Sequence, residues 1–233
     1  SIFLEYSTFN ISAAECLTSS TMQITLSNTG KRYNREWIFR SFTYQFNSGK
    51  QYAITGPNGS GKSTLLQVIA GATLHNEGTI TFNNEQPTSL NPATLPDEQH
   101  YTYISIAAPY LDLIEEMTAK EIFEFHSKFK TLLSSISIRE MLKIVGLENA
   151  INKQVRYFSS GMKQRLKLAL AFFSDTPVLL LDEPTTNLDT EGIVLYQTLI
   201  GRYTKNKLVI VSSNVKQEYD FCDEVLDITN YKQ

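Results

Sequence analysis

Cysteine is scarce in this 233-residue chain: Cys16 and Cys222 stand far apart. Such a pair makes neither a metal-ligand spacing nor a disulfide framework, and it fits a reducing compartment. Long apolar runs are missing too. The longest candidates, "LALAFF" and "VLLLD", fall well short of the roughly 18 residues that a membrane-spanning helix needs. No single charge dominates either: 21 Lys and Arg against 24 Asp and Glu leave a formal charge of −3. That balance gives no general pull toward nucleic acid or an anionic membrane, so no nucleic-acid partner is expected. Internal repeats and low-complexity linkers are absent. What remains, 42% apolar and 19% charged residues, has the composition of a packed globular chain rather than a disordered one.

The opening "SIFLEYSTFNISAAECLTSST" has no clear period, no basic start and no long apolar centre, so it does not read as a secretory signal. Met22 then begins "MQITLSNTG", which alternates like a strand. Residues 1–21 are therefore expected to lie outside the functional domain, which spans 22–233.

From Met22 to Gly56 the pattern is β: "QITL", then "FTYQF" with Phe42, Tyr44 and Phe46 on one face, then "QYAIT". Short connections imply antiparallel pairing. A helix is predicted from Lys62, with Leu65, Leu66, Val68 and Ile69 in helical reach and Gly71 placed to end it; strand "GTITF" follows. Thr118 with Glu121 and Ser137 with Glu140 form capping boxes, which predict helices near 119–130 and 138–145, the second stopped by Gly146. A third amphipathic helix is predicted over about 161–174. The runs "VLLLDE" and "LVIVSS" read as buried strands separated by a helix near 190–204, an order that implies a parallel sheet.

The strongest chemical signal is "GPNGSGKST", residues 56–64, lying between a predicted strand and a predicted helix. It fits G-x-x-x-x-G-K-[ST], the pattern of a phosphate-binding loop. Phosphates need close backbone approach and many N–H donors. Gly56, Gly59 and Gly61 remove the Cβ atoms that would block approach, Pro57, Asn58, Ser60 and Thr64 complete the cradle, and the helix start adds partial positive charge. Lys62 can reach the β and γ phosphates of a nucleotide, and the Ser63 hydroxyl can ligate Mg²⁺. In "VLLLDEP" a continuous apolar run ends in two acids: Asp182 is placed to hold Mg²⁺, and Glu183 to polarise an attacking water. A third piece, "FSSGMKQR" at 158–165, puts small residues before a helix and makes a second anion-binding helix start.

Together "GPNGSGKST", "FSSGMKQRLKLALA", "LLLDEPTTNLD" and the last strand resemble the ATP-binding subunit of ABC transporters, over about residues 22–230. The resemblance implies an α/β fold: a P-loop NTPase core with a mostly parallel sheet, an N-terminal antiparallel β subdomain, and an inserted α-helical subdomain over about 107–175. It makes "SSGM" the signature motif, with Ser159, Ser160 and Gly161 contacting nucleotide across a head-to-tail dimer. "TNLD", ending at Asp189, becomes the D-loop, and Tyr33 the aromatic that stacks on adenine, with Trp37 its rival. Partners are then a second ATPase subunit, identical or pseudo-symmetric, and a separate transmembrane permease. The implied cofactors are ATP and Mg²⁺, and the implied location is cytoplasmic, peripheral on the inner face of the cell membrane. With the sequence ending at Gln233 no regulatory domain is expected, and the compact form is similar to exporter-type subunits.

Two positions depart from the family. Its usual glutamine after the P-loop is absent from "TYISIAAPYLDLIEEMT", where Ile106 or Ala107 takes the place. Its γ-phosphate-sensing histidine is replaced by Asn214, and His75, His100 and His126 lie in other segments. An amide can donate a hydrogen bond but cannot relay a proton. Loss of one positioned donor costs about 3–4 kcal/mol in the transition state, so ATP hydrolysis is expected to be real but slow. The other readings are a soluble, non-transport ATPase of the same family and a nucleotide-binding module with little hydrolysis.

Overall fold

The computed structural model describes residues 22–84, 95 and 97–232. The opening stretch 1–21 lies outside the described residues. Among the described residues, eight strands form two sheets. β1 (Met22–Tyr33) lies between β2 (Glu36–Asn47) and β4 (Glu77–Asn84), antiparallel to both. The second sheet is parallel, in the order β5 (Ile104–Ala107), β6 (Val178–Asp182), β7 (Leu208–Ser212), β3 (Gln51–Thr55), β8 (Glu224–Asp227).

Both faces of the parallel sheet are covered, and this is why its strands read as unbroken apolar runs. Val178, Leu180, Leu208 and Ile210 face one core, shared with Leu65 and Leu66 of α1 (Lys62–Ile69) and with Phe39, Phe42 and Phe46 of the antiparallel sheet. Leu179, Leu181, Val209 and Val211 face the other. There they meet α2 (Ala119–His126), α3 (Ile138–Ile144), α4 (Ser160–Phe172) and α5 (Thr190–Tyr203). A last short helix, α6 (Lys216–Tyr219), precedes β8.

Both capping boxes are present, with each N-cap hydroxyl accepting from the backbone three residues on and each glutamate reaching back. The helix expected over 119–130 stops early, at His126. Past Ser127 the chain tightens into turns, Lys128 N–H to Phe125 O and Phe129 N–H to His126 O, and Lys130 swings its ammonium onto the Ile104 carbonyl. A tertiary contact thus ends the helix before its sequence period does. Strand β8 went unpredicted because four residues with two acids carry little periodic signal.

Candidate nucleotide-binding site

The carboxyl ends of β3, β5, β6 and β7 lie side by side, and the polar residues of the site leave the sheet there. After Thr55 the chain turns through residues 56–61 into α1. Gly61 sits at φ 105, where a Cβ would come within 2.5 Å of Ile38 Cγ2. Gly56, at φ 143, would put one 2.8 Å from Ser60 Oγ. At both positions only glycine fits. Helix α1 starts with no side-chain cap and no acid in its first turn, so its first backbone N–H groups stay open to an anion. Lys62 is buried, and its ammonium donates to the carbonyls of Gly56 (2.7 Å) and Pro57 (3.2 Å), folded back over the loop. An open cleft of about 190 Å³ lies in front, lined by Ile38, Asn58, Gly59, Gly61, Lys62, Ser63, Thr64 and Glu183.

Asp182 ends β6 fully buried, and its Oδ1 has no protein partner. Burial raises its pKa above the usual carboxylate value; the Ser212 and Ser63 hydroxyls pull it down, the charge of Glu183 adds to the rise and Lys62 opposes it. An orphaned buried carboxylate oxygen beside a serine hydroxyl fits a hard cation. Glu183 follows at φ 41, a strained setting for a residue with a Cβ, and its N–H donates to Ser212 O at 2.9 Å. Asn214 lies one loop away. Its Oδ1 accepts from Gly56 N–H (3.2 Å) and its Nδ2 donates to Asn58 Oδ1 (3.0 Å), so its amide is bonded to the phosphate loop from both ends.

The second helix start stands apart from this cleft. Ser159 caps α4 with its own hydroxyl, which accepts from Met162 N–H at 3.2 Å. Ser160 and Gly161 begin the helix, and Gly161 packs where a Cβ would lie 3.1 Å from Asn187 O. Two more bonds tie α4 to the loop after Glu183: Gln164 Nε2 to Pro184 O (2.8 Å) and Arg165 to Asp189 (3.0 Å). Asp189 also caps α5 through Gly192 N–H, and that bond, with Arg165, holds its carboxyl below the ordinary range. Its carboxylate is therefore committed within the chain.

Tyr33 is 46% exposed at the β1–β2 hairpin, with the Lys31 ammonium 4.8 Å from its ring centre. Trp37 is flanked by Arg32 and Arg40, at 5.4 and 4.6 Å, while its neighbour Ile38 turns toward Gly61. Ala107 is buried and Ile106 packs against the core; both are apolar, so neither offers a ligand in place of the glutamine. Three residues past Ala107, however, comes Tyr110. Burial, joined by the charge of Asp182, pushes its phenol up to about 12, with the Gln67 side chain of α1 opposing the rise. The loop carrying it is pinned by Lys167, which donates to Ala108 O and Pro109 O.

Sequence reasoning missed Ile38 and Tyr110. Neither belongs to a contiguous motif, and only the folding of distant segments brings them to this edge.

A phosphate cradle and an acidic strand end on neighbouring parallel strands mark a nucleotide hydrolase of the P-loop class. Comparison with known proteins narrows this. A family model described as "ABC transporter" matches residues 39–186, more than half of the chain, and the protein belongs to that family as an ATP-binding, ATP-hydrolysing subunit. It is 30% identical over 209 residues to the uncharacterised ABC transporter ATP-binding protein YybJ of Bacillus subtilis, covering 89% of this chain and 93% of that one. It is 26% identical over 218 residues to the Nod factor export ATP-binding protein I of Ralstonia nicotianae, covering 91% of this chain and 65% of that one. A dimeric ATP-binding cassette solved in a post-hydrolysis state with ADP and Pi shares the fold, with a TM-score of 0.72 and 24% identity, covering 88% of this chain and 93% of that one.

Proposed function

We propose that this subunit hydrolyses MgATP slowly, at a site shared with a second ATPase subunit, to drive a separate transmembrane permease. The observation that carries the reading is the pairing of an uncapped α1 start with the orphaned Asp182 Oδ1 next to it. The residues of the glycine-rich loop, Gly56 to Thr64, cradle the phosphates. Lys62 leaves its two carbonyl partners for the β and γ oxygens, and Tyr33 offers its exposed ring to the base. Ser63 and Asp182 are the residues that would hold Mg²⁺, which when bound neutralises charge between the β and γ phosphates. Glu183 accepts a proton from the attacking water as its oxygen bonds to the γ-phosphorus and the bond to the bridging oxygen breaks. Asn214 supplies a neutral amide where a histidine would carry charge, and apolar residues stand where the family has a glutamine. Both departures lower the rate without removing the machinery.

Ser159, Ser160 and Gly161 lie outside the cleft of their own chain, which supports their use on a partner's nucleotide. No helix among the described residues is long and apolar enough to cross a membrane, so the transport path is assigned to the permease and this subunit to the cytoplasmic face. The exposed Ile114 and Tyr157 of the helical block form its docking surface. Relatives that include an export protein support an exporter, with the cargo chosen by the permease.

The test is ATP turnover by the purified chain. Glu183→Gln should abolish turnover, a loss of at least about 100-fold, while ATP stays bound. Asn214→His should leave the rate equal or faster. Parent-like turnover in Glu183→Gln sinks the assignment.

A further inference from the structure

Glu218 has no part in the site as described, yet it touches two of its loops at once. It lies on α6, 2% exposed, and its carboxylate receives three donors. Thr185 gives Oε1 both its backbone N–H, at 2.8 Å, and its hydroxyl. Ser213 gives Oε2 its hydroxyl, and the same Ser213 oxygen accepts from Val215 N–H at 2.8 Å. Thr185 is two residues past Glu183; Ser213 is the residue before Asn214. Asn214 in turn grips Gly56 and Asn58. Two sets of hydrogen bonds, joined by the peptide link between Ser213 and Asn214, therefore connect the loop after Glu183, through a single buried carboxylate, to the phosphate loop.

We infer that Glu218 is a positioning residue for hydrolysis: it locks the β6 and β7 loops together so that Glu183 and Asn214 face the same phosphate. A carboxylate suits this post because it only accepts, through two oxygens with about four lone-pair sites. An amide accepts on one side alone, and an apolar side chain on neither. Burial of a carboxylate is tolerated when it is well bonded, and each contact described for this one comes from a donor. The need for a lock is visible at Glu183, whose backbone is held at φ 41 and would relax if its neighbours let go. Besides the Glu183 N–H to Ser212 O bond and the Gln164 bond to Pro184 O, the grip on Thr185 is what fastens the start of that loop. Tyr196 steadies α6 itself by donating to the Glu218 main-chain carbonyl at 2.7 Å.

The inference rests on the reading of Glu183 given above, and two readouts keep them separable. Parent turnover and its loss in Glu183→Gln test that reading. The ratio of variant to parent tests the lock. In the purified chain, Glu218→Ala should lower kcat by about tenfold or more while KM for ATP stays within about threefold, the signature of an interaction that matters in the transition state and not in binding. Glu218→Gln keeps the shape and the Thr185 side but offers Ser213 a donor where it needs an acceptor, so it should lose about threefold in kcat and recover most of the rate lost in Glu218→Ala. Amide hydrogen exchange, which needs no turnover, should speed up over residues 183–189 and 212–215 in Glu218→Ala, by about tenfold. Should Glu218→Ala fail to fold, Glu218→Gln is judged by its own expected loss, about threefold in kcat with KM unchanged, and by faster exchange over the same residues. Parent-like kcat or unchanged exchange in a folded variant overturns the proposal. So does a fall in kcat matched by an equal rise in KM, which would make Glu218 a prop for the fold alone.

Discussion

At the amino end of the parallel sheet, Lys207 is buried and donates to Ser174 O at 2.9 Å, Thr176 bonds Ser105 Oγ at 2.8 Å, and Lys130 bonds Ile104 O. Each of those groups has found a protein partner. At the carboxyl end, Ser60 Oγ and Asp182 Oδ1 are buried with none. Folding tolerates a buried polar group cheaply only when it is bonded, so the amino end is built for stability and the carboxyl end holds bonding capacity in reserve. The phosphate loop shows the same division among helix starts. α2, α3 and α4 are closed by their own side chains, and α1 alone of the four has no side-chain cap. A ligand of opposite charge belongs where both kinds of opening coincide.

Asp182→Asn would break that comparison most sharply. The amide keeps the shape and removes a buried charge that lacks a full set of partners, so the melting temperature should hold or rise. ATP turnover should fall by at least about 100-fold, because the group poised for the cation has lost its charge. A variant both less stable and fully active would show that the carboxyl end is built like the amino end.

Ser174→Ala is the mirror experiment, with a smaller effect. Ser174 Oγ donates to Leu170 O at 2.6 Å, so its lone pairs accept from His126 Nε2 at 2.8 Å, which fixes the proton on that nitrogen. Removing the hydroxyl leaves both partners unmet and should cost about 1–3 kcal/mol of stability by denaturant titration. Turnover per folded molecule should not change. If turnover falls with stability, the two ends of the sheet are coupled.

What could be read ahead of folding follows the same line. The phosphate loop, Asp182 and Glu183 are contiguous with the strands that present them, so spacing alone located them. Asn214 was legible through the resemblance alone, which expects a histidine after that strand, and the fold puts it against Gly56 and Asn58. Tyr110 and Glu218 were not, since a tyrosine in an irregular loop and a glutamate on a four-residue helix carry no periodic or motif signal. Their significance appears only when β5, β6 and β7 stand side by side. The overlong reading of α2 has the opposite cause: the local helical pattern was real, and the attraction of Lys130 to Ile104 O overrode it.

The smallest predicted effect is a pH dependence that tells the two ends apart by sign. Burial, aided by the charge of Lys130, pushes His126 from its ordinary 6.5 down to about 4. Between those values the unfolded chain holds a proton that the folded chain refuses, so this histidine's share of stability is complete above pH 6.5 and is lost as the pH falls toward 4. Lys130, pushed by burial to about 8, is charged in both states throughout that window and adds no slope there. Asp182 acts the other way: its raised pKa means that the folded chain keeps a proton the unfolded one releases, and stability falls as the pH rises from the ordinary carboxylate value. A melting curve of the parent between pH 7.5 and 5 therefore mixes an amino-end loss with a carboxyl-end gain. His126→Gln, whose amide can still donate to Ser174 Oγ, removes only the first. The variant should lose less melting temperature than the parent on acidification, and equal slopes would mean that His126 is not held neutral by its burial.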